Sequence, residues 1–213
     1  MQNKRLIIVG GGQAGSSIAR GVLAREMYRH VCVVEPDVLS RTDLRGFIFQ
    51  RVVSHSKRVD FSVVSSLDDA LFDRADIVML ATPVAHFEGI VRQIAPRLRP
   101  GAVITDVGSS KQKAMENMSG ALQAAGRGED VWVVGGHPGT GRSGQGPMSS
   151  DPDMYEGQPV FLVMPDERVL RMGIRMRGRG CAIRPGLRMR MSRCGCLCLR
   201  KTGKRFCLRR TGF

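Results

Sequence analysis

Arg5-Leu6-Ile7-Ile8-Val9 is an apolar run that ends in Gly10-Gly11-Gly12-Gln13-Ala14-Gly15, and a helical pattern begins at once behind it. Between Gln13 and Met27, Ala14, Ile18, Val22 and Leu23 recur at helical spacing. A continuously apolar strand is buried on both faces. A strand, a glycine turn and a helix in immediate succession therefore commit the chain to a parallel sheet with helices packed against it. The glycines have separate tasks: Gly10 permits the tight turn, Gly12 lets a pyrophosphate approach the backbone, and Gly15 allows close packing of helix on strand. The helix start offers unpaired N–H groups and a positive dipole end to such an anion.

The same alternation continues downstream. Val31–Val34, Phe61–Val64, Asp76–Ala81, Ala102–Thr105, Val131–Val134 and Pro159–Val163 read as strands. Phe87, Ile90, Val91, Ile94 and Leu98 lie on one face of a helix stopped by Pro100-Gly101, and Met115, Met118, Leu122 and Ala125 stripe another. The expected fold class is α/β, a doubly wound and mostly parallel sheet of the Rossmann dinucleotide-binding type. The stretch from Gly139 to Pro152 is rich in Gly, Ser and Pro and reads as a long loop, a class of segment that is often functional.

Charge divides the chain in two. Its net charge is +14, yet residues 1–165 carry 18 Lys+Arg against 17 Asp+Glu, and residues 166–213 carry 15 against 2. The basicity therefore belongs to a tail and does not make the body a nucleic-acid or membrane binder. Of six cysteines only Cys32 lies in the body, inside a strand, where it reads as an inert core residue. Met1 leads directly into a strand and no apolar run approaches the roughly 18 residues of a membrane span. A cytoplasmic protein without membrane attachment is the expectation.

Four places carry candidate chemistry. Glu35 ends the second strand, 20 positions after Gly15. A carboxylate there would accept hydrogen bonds from a ribose and repel a 2′-phosphate, favouring NAD over NADP, with Asp37 and Arg41 close by in the chain. Thr82-Pro83 ends the fourth strand, beside the expected cofactor, although Pro83 also suits a helix start. His86 behind it reads as structural or solvent-facing. In Asp106-Val107-Gly108-Ser109-Ser110-Lys111, Ser109 to Gln112 fits a capping box, or else Ser109 and Lys111 turn a hydroxyl and an ammonium toward the crevice at the strand end. In Gly135-Gly136-His137-Pro138, the proline biases His137 away from helical angles and the glycines let the backbone bend or approach a ligand. A histidine so placed is, on its own, more often a satisfied structural residue.

Together the glycine fingerprint, Ala81-Thr82-Pro83, Thr105 to Lys111 and Gly135-Gly136-His137-Pro138 occur in an order and spacing that resembles the prephenate/arogenate dehydrogenase family of tyrosine biosynthesis. The likeness runs from about Lys4 to Pro165 and includes Ser143-Gly144 and Tyr155-Glu156-Gly157. It implies NAD-dependent oxidative decarboxylation of prephenate or arogenate to 4-hydroxyphenylpyruvate or tyrosine. It further implies that His137 bonds the substrate 4-hydroxyl and helps remove its proton, that Ser109 hydrogen-bonds the same region or orients His137, and that Lys111 supports the loop or the anionic substrate. The cofactor would lie on Gly10, Gly12, Gln13, Ala14, Gly15, Glu35, Thr82 and Pro83, with no metal.

Residues 1–165 are thus expected to be a dinucleotide-binding domain. Family members continue into a helical domain that forms a homodimer and adds substrate-binding residues, none of which can be matched here. Residues 166–213 instead carry Arg, Gly, Cys and Met without a sustained period, a composition expected to stay disordered. Cys194, Cys196, Cys198 and Cys207 lack the usual zinc-knuckle spacing, and no nucleic-acid-binding module accompanies the charge. The alternatives to the enzyme are a cofactor-binding but inactive fragment and a Rossmann dehydrogenase of the β-hydroxyacid type. The tail resembles an out-of-frame reading of a GC-rich coding region. Sequencing the locus is expected to reveal a shifted frame near the codon for Asp166, and an intact frame through residue 213 contradicts that origin.

Overall fold

The computed structural model describes residues 2–52, 59–70, 72–141 and 143–163, together with the backbone of 190–191, 196–201 and 204–209. In chain order the elements are β1 (Gln2–Val9), α1 (Gln13–Ala24), β2 (Tyr28–Val34), α2 (Val38–Val52), β3 (Asp60–Val64), β4 (Ile77–Leu80), α3 (Phe87–Ile94), β5 (Val103–Asp106), α4 (Lys111–Ala124), β6 (Trp132–Pro138) and β7 (Val160–Val163). These seven strands form one sheet in the order β3-β2-β1-β4-β5-β6-β7. Every neighbouring pair from β3 to β6 is parallel, and β7 closes the edge antiparallel to β6. From β1 the chain winds outward through β2 and β3, then returns to β4 and winds the other way. The crevice between β1 and β4 is therefore the switch point of a doubly wound sheet, where ligands bind outside the carboxyl ends of strands.

Alternate residues along each strand serve different layers, as a two-residue period requires. Ile7, Val9, Cys32, Val34, Val78, Leu80 and Ile104 pack with Phe87, Val91 and Ile94 of α3 and Met115, Met118 and Leu122 of α4. Leu6, Ile8, Val31 and Val33 face Ala19 and Leu23 of α1, Leu44 of α2 and Val63 of β3. Both strand faces are thus buried, which is why these strands read as unbroken apolar runs. Cys32 is buried, and burial pushes its thiol above the usual range, in keeping with an unreactive core residue.

The helix α2 is absent from the periodicity reading. Val38 and Leu39 at its start are 63% and 75% exposed, while Leu44 is fully buried. Its apolar residues therefore do not trace the stripe by which an amphipathic helix is recognised. A second difference lies at β6, which extends through Gly135, Gly136 and His137 to Pro138 and is not finished at Val134. The expectation of disorder over 166–213 falls almost wholly outside the described residues. Within that stretch the backbone of Arg190–Met191, Cys196–Lys201 and Lys204–Arg209 forms a three-stranded antiparallel sheet. Among the described residues no helix is long and apolar enough to cross a membrane, and no group of three or more His, Cys, Asp or Glu could hold a metal ion.

At the first turn, Gly10 has φ +104° and a Cβ there would stand 2.7 Å from the Ala81 carbonyl oxygen. A Cβ on Gly15 would lie 1.9 Å from the Gly10 carbonyl oxygen. The close seat of α1 on the β1 turn thus depends on a missing methyl group. Gly15→Ala is expected to lower unfolding free energy by about 1–3 kcal/mol through overpacking. Urea denaturation reads this as a lower midpoint, and an unchanged midpoint contradicts the packing described.

Candidate active site

The glycine turn is held open from below by Glu35. One carboxylate oxygen accepts the Gly11 N–H at 2.7 Å and the other accepts the Asp37 N–H at 2.9 Å. Arg41 donates to the carbonyls of Glu35 and Pro36. The acidic side chain is therefore fixed at the end of β2, against the turn. Gly12 differs from its neighbours, since a Cβ there would meet nothing within 4 Å. Its backbone faces open space. The first turn of α1 carries no acidic side chain of its own.

Contacts between loops gather the other carboxyl ends around this turn. A Cβ on Gly10 would lie 2.9 Å from Thr82 Cγ2, and one on Gly108 2.9 Å from Val84 Cγ2. Asn117 of α4 donates to the Val84 carbonyl at 3.1 Å. Pro83 and His86 are exposed, in and before a 3-10 turn, Val84–His86, that leads into α3. The long segment after β6 then crosses back to α1. Arg20 donates to the carbonyl and hydroxyl oxygens of Ser150 at 2.6 and 2.7 Å. The Asp151 N–H donates to Ser17 Oγ, and Arg25 reaches the Pro152 carbonyl, Asp153 and Glu156. A Cβ on Gly144 of this segment would stand 3.4 Å from Gln13 Nε2. The expected loop is thus a wall laid over the start of the nucleotide-type turn.

At the carboxyl end of β5 stands Asp106, fully buried. Its Oδ1 accepts the Gly136 N–H at 3.0 Å, and its Oδ2 accepts the Gly108 N–H at 2.9 Å and the Lys111 ammonium. Lys111 also donates to the Gly136 carbonyl at 2.6 Å. Burial pushes the Lys111 ammonium below the ordinary lysine value, and the Asp106 carboxylate against it works in the opposite direction. The capping box does not form: Ser110 is the N-cap of α4 without a side-chain bond, and Gln112 turns to Glu116. Ser109 is exposed and has no protein partner for its hydroxyl among the described residues.

Neither glycine of the Gly135-Gly136 pair adopts positive φ. Their lack of side chains serves packing. A Cβ on Gly135 would press on Met115 Sδ at 2.7 Å, and one on Gly136 on the Asp106 carbonyl oxygen at 2.6 Å. His137 follows immediately, with its ring stacked at 6.2 Å on Phe161 from β7. Its Nδ1 is buried without a hydrogen-bond partner among the described residues, and Gln13 Nε2 and Thr82 Oγ1 are in the same condition. Buried polar atoms are seldom left unpaired. Three such atoms follow or end β1, β4 and β6, at the carboxyl side of the sheet, where a polar ligand would satisfy them.

A sequence profile described as "Prephenate dehydrogenase, nucleotide-binding domain" matches residues 51–169. The chain belongs to the prephenate dehydrogenase family. Over 165 residues it is 28% identical to a prephenate dehydrogenase of Lactococcus lactis subsp. cremoris, covering 77% of this chain and 41% of that one. It is 29% identical over 160 residues to a cyclohexadienyl dehydrogenase of Zymomonas mobilis subsp. mobilis, covering 75% and 48%. The chain thus spans less than half the length of these curated relatives. Among solved structures, prephenate dehydrogenase from Aquifex aeolicus is 27% identical with TM-score 0.61, covering 81% of this chain and 56% of that one. That enzyme in complex with hydroxyphenyl propionate and NAD+ gives 24% and TM-score 0.63, covering 81% and 55%, a likeness of fold.

Asp106, Asn117 and Phe161 are the residues of this site that sequence reasoning passes over. A signal for Asp106 does exist, since a carboxylate closing the apolar run Ala102–Thr105 has no exposed side to turn to. Glu35 carries the most direct test of how the turn is held. In Glu35→Gln one of two backbone donors faces an amide N–H in place of an oxygen. The variant is expected to lose about 1–2 kcal/mol of stability, with faster hydrogen exchange at the Gly11 amide. Unchanged Gly11 exchange contradicts the support assigned to Glu35.

Proposed function

We propose that this chain is an NAD-dependent dehydrogenase that oxidatively decarboxylates prephenate or arogenate, yielding 4-hydroxyphenylpyruvate or tyrosine. The observation that carries the proposal is the buried Nδ1 of His137 at the end of β6, which has no hydrogen-bond partner among the described residues. Family membership and the names of the relatives support the same chemistry.

The residues present fit a dinucleotide. Among the described residues Gly12 faces open space, the first turn of α1 has no acidic side chain of its own, and Gln13 and Thr82 hold buried polar atoms without partners. In this reading Gly10, Gly12, Gln13, Ala14 and Gly15 cradle the pyrophosphate, and Thr82 and Pro83 border the nicotinamide. Glu35 receives the ribose hydroxyls, its pinned carboxylate discouraging a 2′-phosphate. When bound, NAD supplies a hydride acceptor.

His137 is the general base. The proton of the substrate 4-hydroxyl passes to its imidazole as the ring carbon gives up hydride, a role suited to a ring nitrogen that accepts a proton. The carbon–carboxylate bond then breaks, its electron pair makes the ring aromatic, and the ring oxygen regains a proton. Ser109, exposed between β5 and α4, offers a hydroxyl to the same oxygen in this reading. Lys111 serves through the loop it braces. Residues 1–165 form the unit that performs these tasks in this reading.

His137→Asn is expected to cut turnover on prephenate or arogenate by at least about tenfold while leaving NAD affinity nearly unchanged. Calorimetric titration with NAD and steady-state NADH formation check both halves. Turnover that survives the substitution contradicts the role of His137. NAD binding with no turnover by the unmodified chain favours an inactive nucleotide-binding fragment.

A further inference from the structure

We infer that the buried Asp106–Lys111 pair is a positioning device that sets the backbone at Gly136, and through it the place of His137. The inference rests on the reading of His137 as the base. The β5–β6 ladder ends at Thr105↔Val134, after which β6 pairs with β7 from Gly135↔Val163 to Pro138↔Val160. At this handover β5 keeps its pairing with β4, the Val107 N–H donating to the Leu80 carbonyl at 3.2 Å. Gly136 lies beyond the last β5–β6 pair. Two side chains replace the missing ladder: Asp106 Oδ1 takes the N–H at 3.0 Å and Lys111 Nζ the carbonyl at 2.6 Å.

Other routes to stability explain this pair poorly. Lys111 is the first residue of α4, where a cation opposes the positive end of the helix dipole. Its side chain is 16% exposed and that of Asp106 0%, and a buried ion pair is seldom more stabilising than apolar packing of similar volume. Burial does in fact push the Lys111 ammonium down. What the pair supplies is direction. Its two charges hold the N–H and the carbonyl of one residue, Gly136, and the next residue is the histidine whose Nδ1 has no hydrogen-bond partner among the described residues.

The test compares Asp106→Asn, Lys111→Met and the double variant in the full chain, using labelled protein for NMR alongside kinetics and urea unfolding. Lys111→Met is expected to move the Gly136 amide and His137 imidazole signals, with kcat falling roughly tenfold to hundredfold and NAD affinity unchanged. The double variant leaves no unpaired buried charge, so its stability should recover above that of Lys111→Met while kcat stays low. If kcat recovers in step with stability, or the Gly136 and His137 signals stay in place, the pair is only structural and the inference is overturned. Absence of turnover in the unmodified chain would defeat the proposed activity alone, since the NMR signals still decide the positioning.

Discussion

A carboxylate with no exposure to solvent holds the working end of this sheet together. Asp106 accepts from the Gly136 N–H, the Gly108 N–H and the Lys111 ammonium, so it joins the end of β5, the start of α4 and the middle of β6. A buried carboxylate is tolerated only when paired and hydrogen-bonded, and these three donors meet that requirement. The consequence is geometric. The strand β6 leaves its parallel neighbour and takes an antiparallel one without losing its place, and His137 sits on the stretch that makes this change.

The glycine turn sets the opposite wall. Gly10 and Gly15 let β1, α1 and β4 approach within a distance that side chains forbid, and Glu35 fixes the turn from the end of β2. The segment after His137 returns to α1 through Arg20, Ser17 and Arg25. The turn and the histidine are thereby tied together through one stretch of chain, although over 120 residues separate them in the sequence. A ligand spanning both would find buried polar atoms waiting on Gln13, Thr82 and His137.

Much of this was legible in advance where burial is symmetric. Strands apolar on both faces announce a parallel sheet, and the helices α3 and α4 carry stripes that match the faces they bury. The helix α2 was not legible, because Val38 and Leu39 point to solvent and break the pattern. Site residues followed the same division. Gly10, Gly15 and His137 stand out by residue type and spacing alone. The work of Asp106 and Lys111 is invisible to periodicity, since it depends on where β5 and β6 part. The glycines before His137 stand out by residue type, but the closeness of Met115 and the Asp106 backbone that also requires them shows only in the packing.

The chain spans less than half the length of its curated relatives, so the sharpest question is whether this unit joins hydride removal to loss of the carboxylate. The direct measurement follows CO2 release and nicotinamide reduction together, with the purified full chain, NAD and carboxyl-labelled prephenate or arogenate. One CO2 is expected for each NADH formed. Reduction without CO2 release, or neither product, contradicts it.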